Sequence, residues 1–217
     1  MRIGVLLAGC GHYDGTDVHE AVLTLLALES AGEKPLLIAP AIDHERVVDH
    51  RTGDEIPGER RDILRESARF ARHRIVSIPE SRPEDLEALI IPGGYGPVVN
   101  FSTGFALREA EHKLHPDLEG FLRHFLDRGK PIGLISLGEI PVRLLLGQPI
   151  EQAPPPADPG QVGVDAARRL VHTPGFTGFA RLGDVLTGIQ AMIASLLRLM
   201  EERRREAGRA PSTPGAP

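Results

Sequence analysis

The residue best placed to do chemistry is Ser136. It stands between residues 131–135 (PIGLI), a short apolar run that reads as a buried strand, and residues 137–146, which read as a helix. Pro141 falls in the first turn of that helix, where a missing N–H costs least. A strand that turns sharply into a helix raises one side chain at the carboxyl edge of a sheet, beside the unpaired N–H groups of the helix start. That arrangement presents a nucleophile and supplies an oxyanion hole. A serine hydroxyl needs an adjacent base before it attacks, and no base is placed beside Ser136 in the sequence. The flanking Gly133-Leu134-Ile135-Ser136-Leu137-Gly138 keeps only the second glycine of the G-x-S-x-G pattern. The competing reading is a small polar residue that tolerates a tight turn.

Other candidates cluster near the beginning of the chain. Asp17-Val18-His19-Glu20 has the form of a capping box, with Glu20 reaching back to the cap N–H. Cys10 lies between Gly9 and Gly11 and reads either as a thiol at the site or as a small buried residue. Gly9, Gly11 and Gly15 are spaced GxGxxxG rather than GxGxxG, which argues against a dinucleotide site. Gly93, Gly94 and Gly96 follow a strand; their backbone either faces a substrate oxygen or forms a tight exit turn. His12, His19 and His172 are candidate bases, and no HExxH-type spacing joins them into a metal site. Tyr13 and Asn100 stand on neighbouring loops and are candidate substrate contacts.

The elements that must position these residues alternate. Apolar runs at residues 2–8, 35–39, 88–91, 131–135 and 170–173 read as strands. Helices are expected over about 17–31, 61–71, 116–128 and 184–202, and a mixed helix and loop over 103–114. In the first helix, Val18, Ala21, Val22, Leu25 and Leu26 share one face at helical spacing and are expected to point inward. Alternating strands and helices predict a flavodoxin-like α/β three-layer sandwich, a mostly parallel sheet with helices on both faces. Ligands of such sheets bind outside the carboxyl ends of the strands. Loops 9–15, 93–100 and 173–178 and Ser136 all leave those ends. Residues 148–164 carry five prolines and two glycines and read as a loop. The expected organisation is a single domain over 1–204 with a disordered tail over 205–217.

Composition narrows the function. The net charge of −5 argues against nucleic-acid and anionic-membrane partners, which call for a basic face. One cysteine leaves no intrachain disulfide, consistent with a reducing cytoplasm. Leu7-Ala8-Gly9-Cys10 imitates a lipoprotein cleavage site, but the segment before it is short for a secretory signal of roughly 15–30 residues.

GCGHYDGTDVHEAV (residues 9–22), IIPGGYG (90–96) and KPIGLIS (130–136) together resemble the ElbB-type branch of the PfpI-like, class I glutamine amidotransferase-like superfamily. The likeness covers about residues 1–147 and resumes at VHTPGF (171–176). It implies a flavodoxin-like fold, a homodimer, and a glyoxalase without cofactor that converts glyoxal to glycolate, in a family linked to isoprenoid biosynthesis. The family's glutamate, which moves protons, matches Glu20; its cysteine matches Ser136. The resemblance makes the N–H groups of Gly94 and Leu137 the oxyanion donors. It sets Cys10, Tyr13, Asn100 and His172 around a small dicarbonyl substrate. Glu139 stands where the family has a proline, which would place an acid close to a developing oxyanion. A non-catalytic binder of a metabolite or protein partner is the second reading, and a serine hydrolase the third.

Overall fold

Strands covered on both faces need runs without polar side chains, and IGVL, LLIA, ALII and IGLI are such runs. They form four of the strands in the computed structural model, which describes residues 2–72, 74–103, 113–148 and 156–209. In chain order the elements are β1 (Ile3–Leu6), α1 (Val18–Ser30), β2 (Leu36–Ala39), α2 (Ile63–Ser67) and β3 (Ile75–Ser77). Next come β4 (Ala88–Ile91), α3 (Gly96–Val99), β5 (Ser102–Thr103), β6 (Lys113–Leu114) and α4 (Pro116–Asp127). The chain continues with β7 (Ile132–Ile135), α5 (Ile140–Leu145), β8 (Gly163–Asp165), β9 (Leu170–Thr173) and α6 (Leu182–Arg209).

Seven strands make one sheet in the order β3-β2-β1-β4-β7-β9-β8, and β5 pairs with β6 separately. All neighbours in the large sheet are parallel except β8, which closes one edge antiparallel to β9. One face packs against α1 and α6, with Val185, Ile189, Met192, Ile193 and Leu196 of α6 in the core. The other packs against α4 through Leu118, Phe121, Leu122 and Phe125. The result is the flavodoxin-like α/β sandwich expected. By length and composition α6 could cross a membrane; its apolar face is instead spent on this core.

Several local expectations are corrected. The buried face of α1 is Glu20, Ala21, Thr24, Ala27 and Leu28, while Val18, Val22 and Leu26 are exposed. α1 lies along α6, and the small side chains of Ala21, Thr24 and Ala27 allow that close approach, turning the larger apolar residues outward. α6 continues to Arg209, past the boundary expected at residue 204. Arg204 reaches Glu87 and Arg169 reaches Glu206, so the last turns are tied to the body of the protein. β8 replaces loop at the end of the proline-rich stretch, pairing Val164 with Val171. Most of the helix and loop expected over 103–114, the middle of the proline-rich stretch and residues 210–217 lie outside the described residues.

Candidate active site

From β1 the chain moves outward through β2 to β3, then returns to place β4 on the other side of β1. Such a reversal opens a crevice at the carboxyl ends of the two central strands. The loops after β1 and β4 enter it, and the elbow after β7 and the turn after β9 close it.

Ser136 carries φ +52°, left-handed backbone at a non-glycine residue, and is 3% exposed. It begins a 3-10 turn, Ser136–Glu139, that runs directly into α5. The first N–H groups of such a turn have no acceptor within it. The elbow expected from the sequence is therefore present in its strained form.

Glu20 is fully buried in the first turn of α1. Its carboxylate accepts the Gly93 N–H at 2.8 Å on one oxygen and the Phe176 N–H at 2.9 Å on the other. The Ser136 side chain stands beside the same carboxylate across Gly93 and favours its ionised form. Burial pushes the Glu20 carboxyl up to about 7, the charge of Asp17 adds to the rise, and the two backbone hydrogen bonds, together with the neighbouring Ser136, offset only part of it. A carboxyl at that value exchanges protons near neutral pH.

The capping box is half formed. Asp17 accepts from the N–H groups of His19 and Glu20 at 2.9 and 3.0 Å, while its own N–H goes to the Gly93 carbonyl at 2.9 Å. Glu20 does not return to the cap; it spans to the β4 and β9 loops. Gly93 makes this possible, because a Cβ there would lie 2.7 Å from the Glu20 carboxylate and 2.8 Å from the Ser136 Cβ. Gly175, at φ +55°, meets the same carboxylate from the opposite side.

Over these residues lies a pocket of about 260 Å³ whose walls include Glu20, Ser136, Leu137, Gly94, Tyr95 and Phe176. The structure thus brings together four of the expected site residues: Glu20, Ser136, Gly94 and Leu137. Four others stand elsewhere. Asn100 is a buried strut whose amide donates to the carbonyls of Ala8 and Asp14 and accepts from the Glu45 N–H. Cys10 sits behind the β1 loop, where its backbone bridges to Thr16; burial pushes its thiol up, against the pull of Arg69, opposite to what a reactive thiol needs. Tyr13 is on the outer rim, its ring against His12 and His50. His172 lies on the far side of the elbow. Burial pushes its imidazole below the ordinary range, partly offset by Glu139.

Glu139 also belongs to that far side. It is 3% exposed, 2.9 Å from the Arg143 Nε and 3.5 Å from the His172 Nε2. It lines a second cavity of about 250 Å³ with Arg143, Gln148, Val164 and His172. Its charge therefore faces away from the Glu20 pocket, contrary to the expectation for an acid in the proline position. The described ends of the proline-rich stretch border this rear cavity, not the mouth.

Sequence reasoning missed Phe176, Gly93 and Gly175 as holders of Glu20, although PGF after β9 carried the signal of a strand-exit turn. His12, weighed as a base, lines the pocket and lies 3.2 Å from Asp17.

No family model matches the chain. It is 31% identical over 91% of its length, and 83% of the relative's, to the human glutamine amidotransferase-like class 1 domain-containing protein 3, mitochondrial. The chain belongs to the ElbB-type branch of the PfpI-like, class I glutamine amidotransferase-like superfamily. A crystal structure of an isoprenoid biosynthesis protein with amidotransferase-like domain, from Ehrlichia chaffeensis, is similar throughout: 32% identity, TM-score 0.82, covering 91% of this chain and 99% of that one. The wider fold is shared with a DJ-1 superfamily protein of Salmonella typhimurium, at 20% identity and TM-score 0.51 over 95% of this chain and 96% of that one. This chain has a buried acid, Glu20, beside a strained elbow, and carries serine at the elbow's tip.

Proposed function

We propose that this protein is a cofactor-independent enzyme of glyoxalase type acting on small α-dicarbonyls. The observation that carries the reading is the strained Ser136, whose side chain stands beside a buried carboxyl held at about 7. In the reaction R–CO–CHO + H2O → R–CH(OH)–COOH, the Ser136 Oγ adds to the aldehyde carbon and its proton passes to Glu20. The resulting alkoxide, against the N–H groups at Leu137 and Gly94, takes that proton back from Glu20, which leaves a hemiacetal and an ionised carboxylate. Glu20 then carries the former aldehyde proton from that carbon to the neighbouring carbonyl carbon through an enediol, while the hemiacetal hydroxyl proton moves to the neighbouring oxygen. The product is an ester on Ser136, which water hydrolyses to the 2-hydroxy acid. Serine is a poorer nucleophile than a thiolate at neutral pH, so turnover is slow.

Glycolate formation from glyoxal tests the proposal. Wild type turns over, Ser136→Ala and Glu20→Gln do not, and Ser136→Cys is faster than wild type. No turnover in the wild type with turnover in Ser136→Cys would give the non-catalytic metabolite binder instead, a reading favoured by the serine itself. The serine hydrolase is less well supported, because the group beside Ser136 in the pocket is a carboxyl where that mechanism uses an imidazole. Labelling of Ser136 by a fluorophosphonate would restore it.

We further propose a homodimer in a reducing compartment. The human relative's name places that protein in mitochondria, and a single cysteine is compatible with the matrix as well as with the cytoplasm.

A further inference from the structure

The Glu20 pocket does not end at its rim. It opens beside a wider groove of about 560 Å³ lined by His12, Asp17, His19, Phe176 and Leu182. His12, Asp17 and Phe176 line both spaces. Phe176 joins them most directly. Its N–H holds Glu20, while its ring forms part of the groove and meets the His19 ring edge-on at 5.7 Å. Leu182, at the start of α6, is 50% exposed beside it.

Rings surround this approach. The chain has two tyrosines: Tyr95 lines the inner pocket and Tyr13 stands outside it, and their rings lie 5.5 and 4.9 Å from the His12 ring between centroids. Both are more than a third exposed. Aromatics are scarce in this chain, at 4%, so their gathering around one opening is the more telling. An inner pocket sufficient for a two-carbon head needs no such vestibule. A contiguous apolar surface next to convergent polar groups is how a site accepts a ligand with one polar and one apolar end, and ring walls favour an aromatic end.

We propose that the groove is the subsite for an aryl arm, so that the preferred ligand is an aryl-substituted α-oxo compound rather than glyoxal itself. The carbonyl head enters between Ser136 and Glu20, and the ring lies on Phe176 and Leu182. Only the identity of the head group rests on the glyoxalase reading; the arm rests on the groove.

The test is equilibrium binding, which needs no turnover. The probes are 2-hydroxyacetophenone and hydroxyacetone, which share a head and differ in the arm. Calorimetry on the full chain is expected to show the aryl compound binding at least tenfold more tightly. Leu182→Asp, at an exposed site, reduces that preference to threefold or less while hydroxyacetone binding is unchanged, and Phe176→Ala, which keeps the N–H on Glu20, also reduces the preference to threefold or less. Equal binding of the two probes to wild type overturns the subsite and leaves the glyoxalase reading to its own assay. An aryl preference in a protein that makes no glycolate overturns the glyoxalase reading and leaves the subsite standing. If Leu182→Asp instead converts a dimer to a monomer in sedimentation and leaves the probe preference intact, the groove is covered by a second copy and the proposal fails.

Discussion

Glu20 and Glu139 flank the same elbow, and both are buried. Glu20 faces forward and is held by two backbone N–H groups, with Ser136 beside it. Glu139 faces backward and is held by Arg143, with His172 beside it. Glu139 pairs with a charged guanidinium, which anchors it in place; Glu20 has only neutral donors in a dry site, where burial raises its carboxyl. The difference separates a carboxyl suited to moving a proton from one that anchors structure. It also shows that burial alone does not identify a working carboxyl: the nature of its partners does.

The sharpest way to break that comparison is to make the same substitution on both sides. Glu20→Gln is expected to lower glyoxal turnover by about 10²–10⁴-fold, the usual contribution of a positioned proton carrier, whereas Glu139→Gln is expected to leave kcat within a few-fold of wild type. Equal losses at the two sites would end the distinction.

A pH series sharpens it next. The Glu20 carboxyl is raised from 4.5 to about 7 in the folded chain. The stability it contributes is therefore complete below about 4.5 and lost as pH rises through about 7. At about 1.4 kcal/mol per pKa unit, the loss is at most about 3.5 kcal/mol. Denaturant unfolding between pH 4 and 8 should show this slope in wild type and a flatter one in Glu20→Gln. Turnover should run the opposite way, rising through about pH 7 as Glu20 becomes the base. On the other side, Glu139→Ala leaves Arg143 without this partner and should cost about 2 kcal/mol, below the full price of a buried pair because Arg143 is partly exposed. The smallest effect is expected at Asp17→Ala, which removes the N-cap of α1 for about 1 kcal/mol and should raise KM for dicarbonyls only slightly.

Much of this was legible in the sequence, for identifiable reasons. IGVL, ALII and IGLI announce central parallel strands because nothing else in a soluble chain accommodates such runs so briefly. Ser136 announces the elbow because it sits between one of those runs and a proline-started helix. Glu20 was legible as a cap from spacing and as an acid only through the family motif; its partners come from Gly93, 73 residues away, and Phe176, 156 away, distances that no local pattern encodes. The α1 face was misread because Val18, Val22 and Leu26 form as good an apolar stripe as the one that packs, and the choice is made by α6. Asn100 and Cys10 were misplaced for the opposite reason: a polar residue near a glycine loop looks the same whether it meets a ligand or braces the loop.

The left-handed backbone of Ser136 has one further consequence. A non-glycine residue held there stores roughly 1–3 kcal/mol, and glycine adopts the same conformation without that strain. Ser136→Gly should therefore relieve local strain at the moment it abolishes the hydroxyl. At this position the demands of a durable fold and of a reactive tip point to different amino acids, and the chain carries the one that favours the tip.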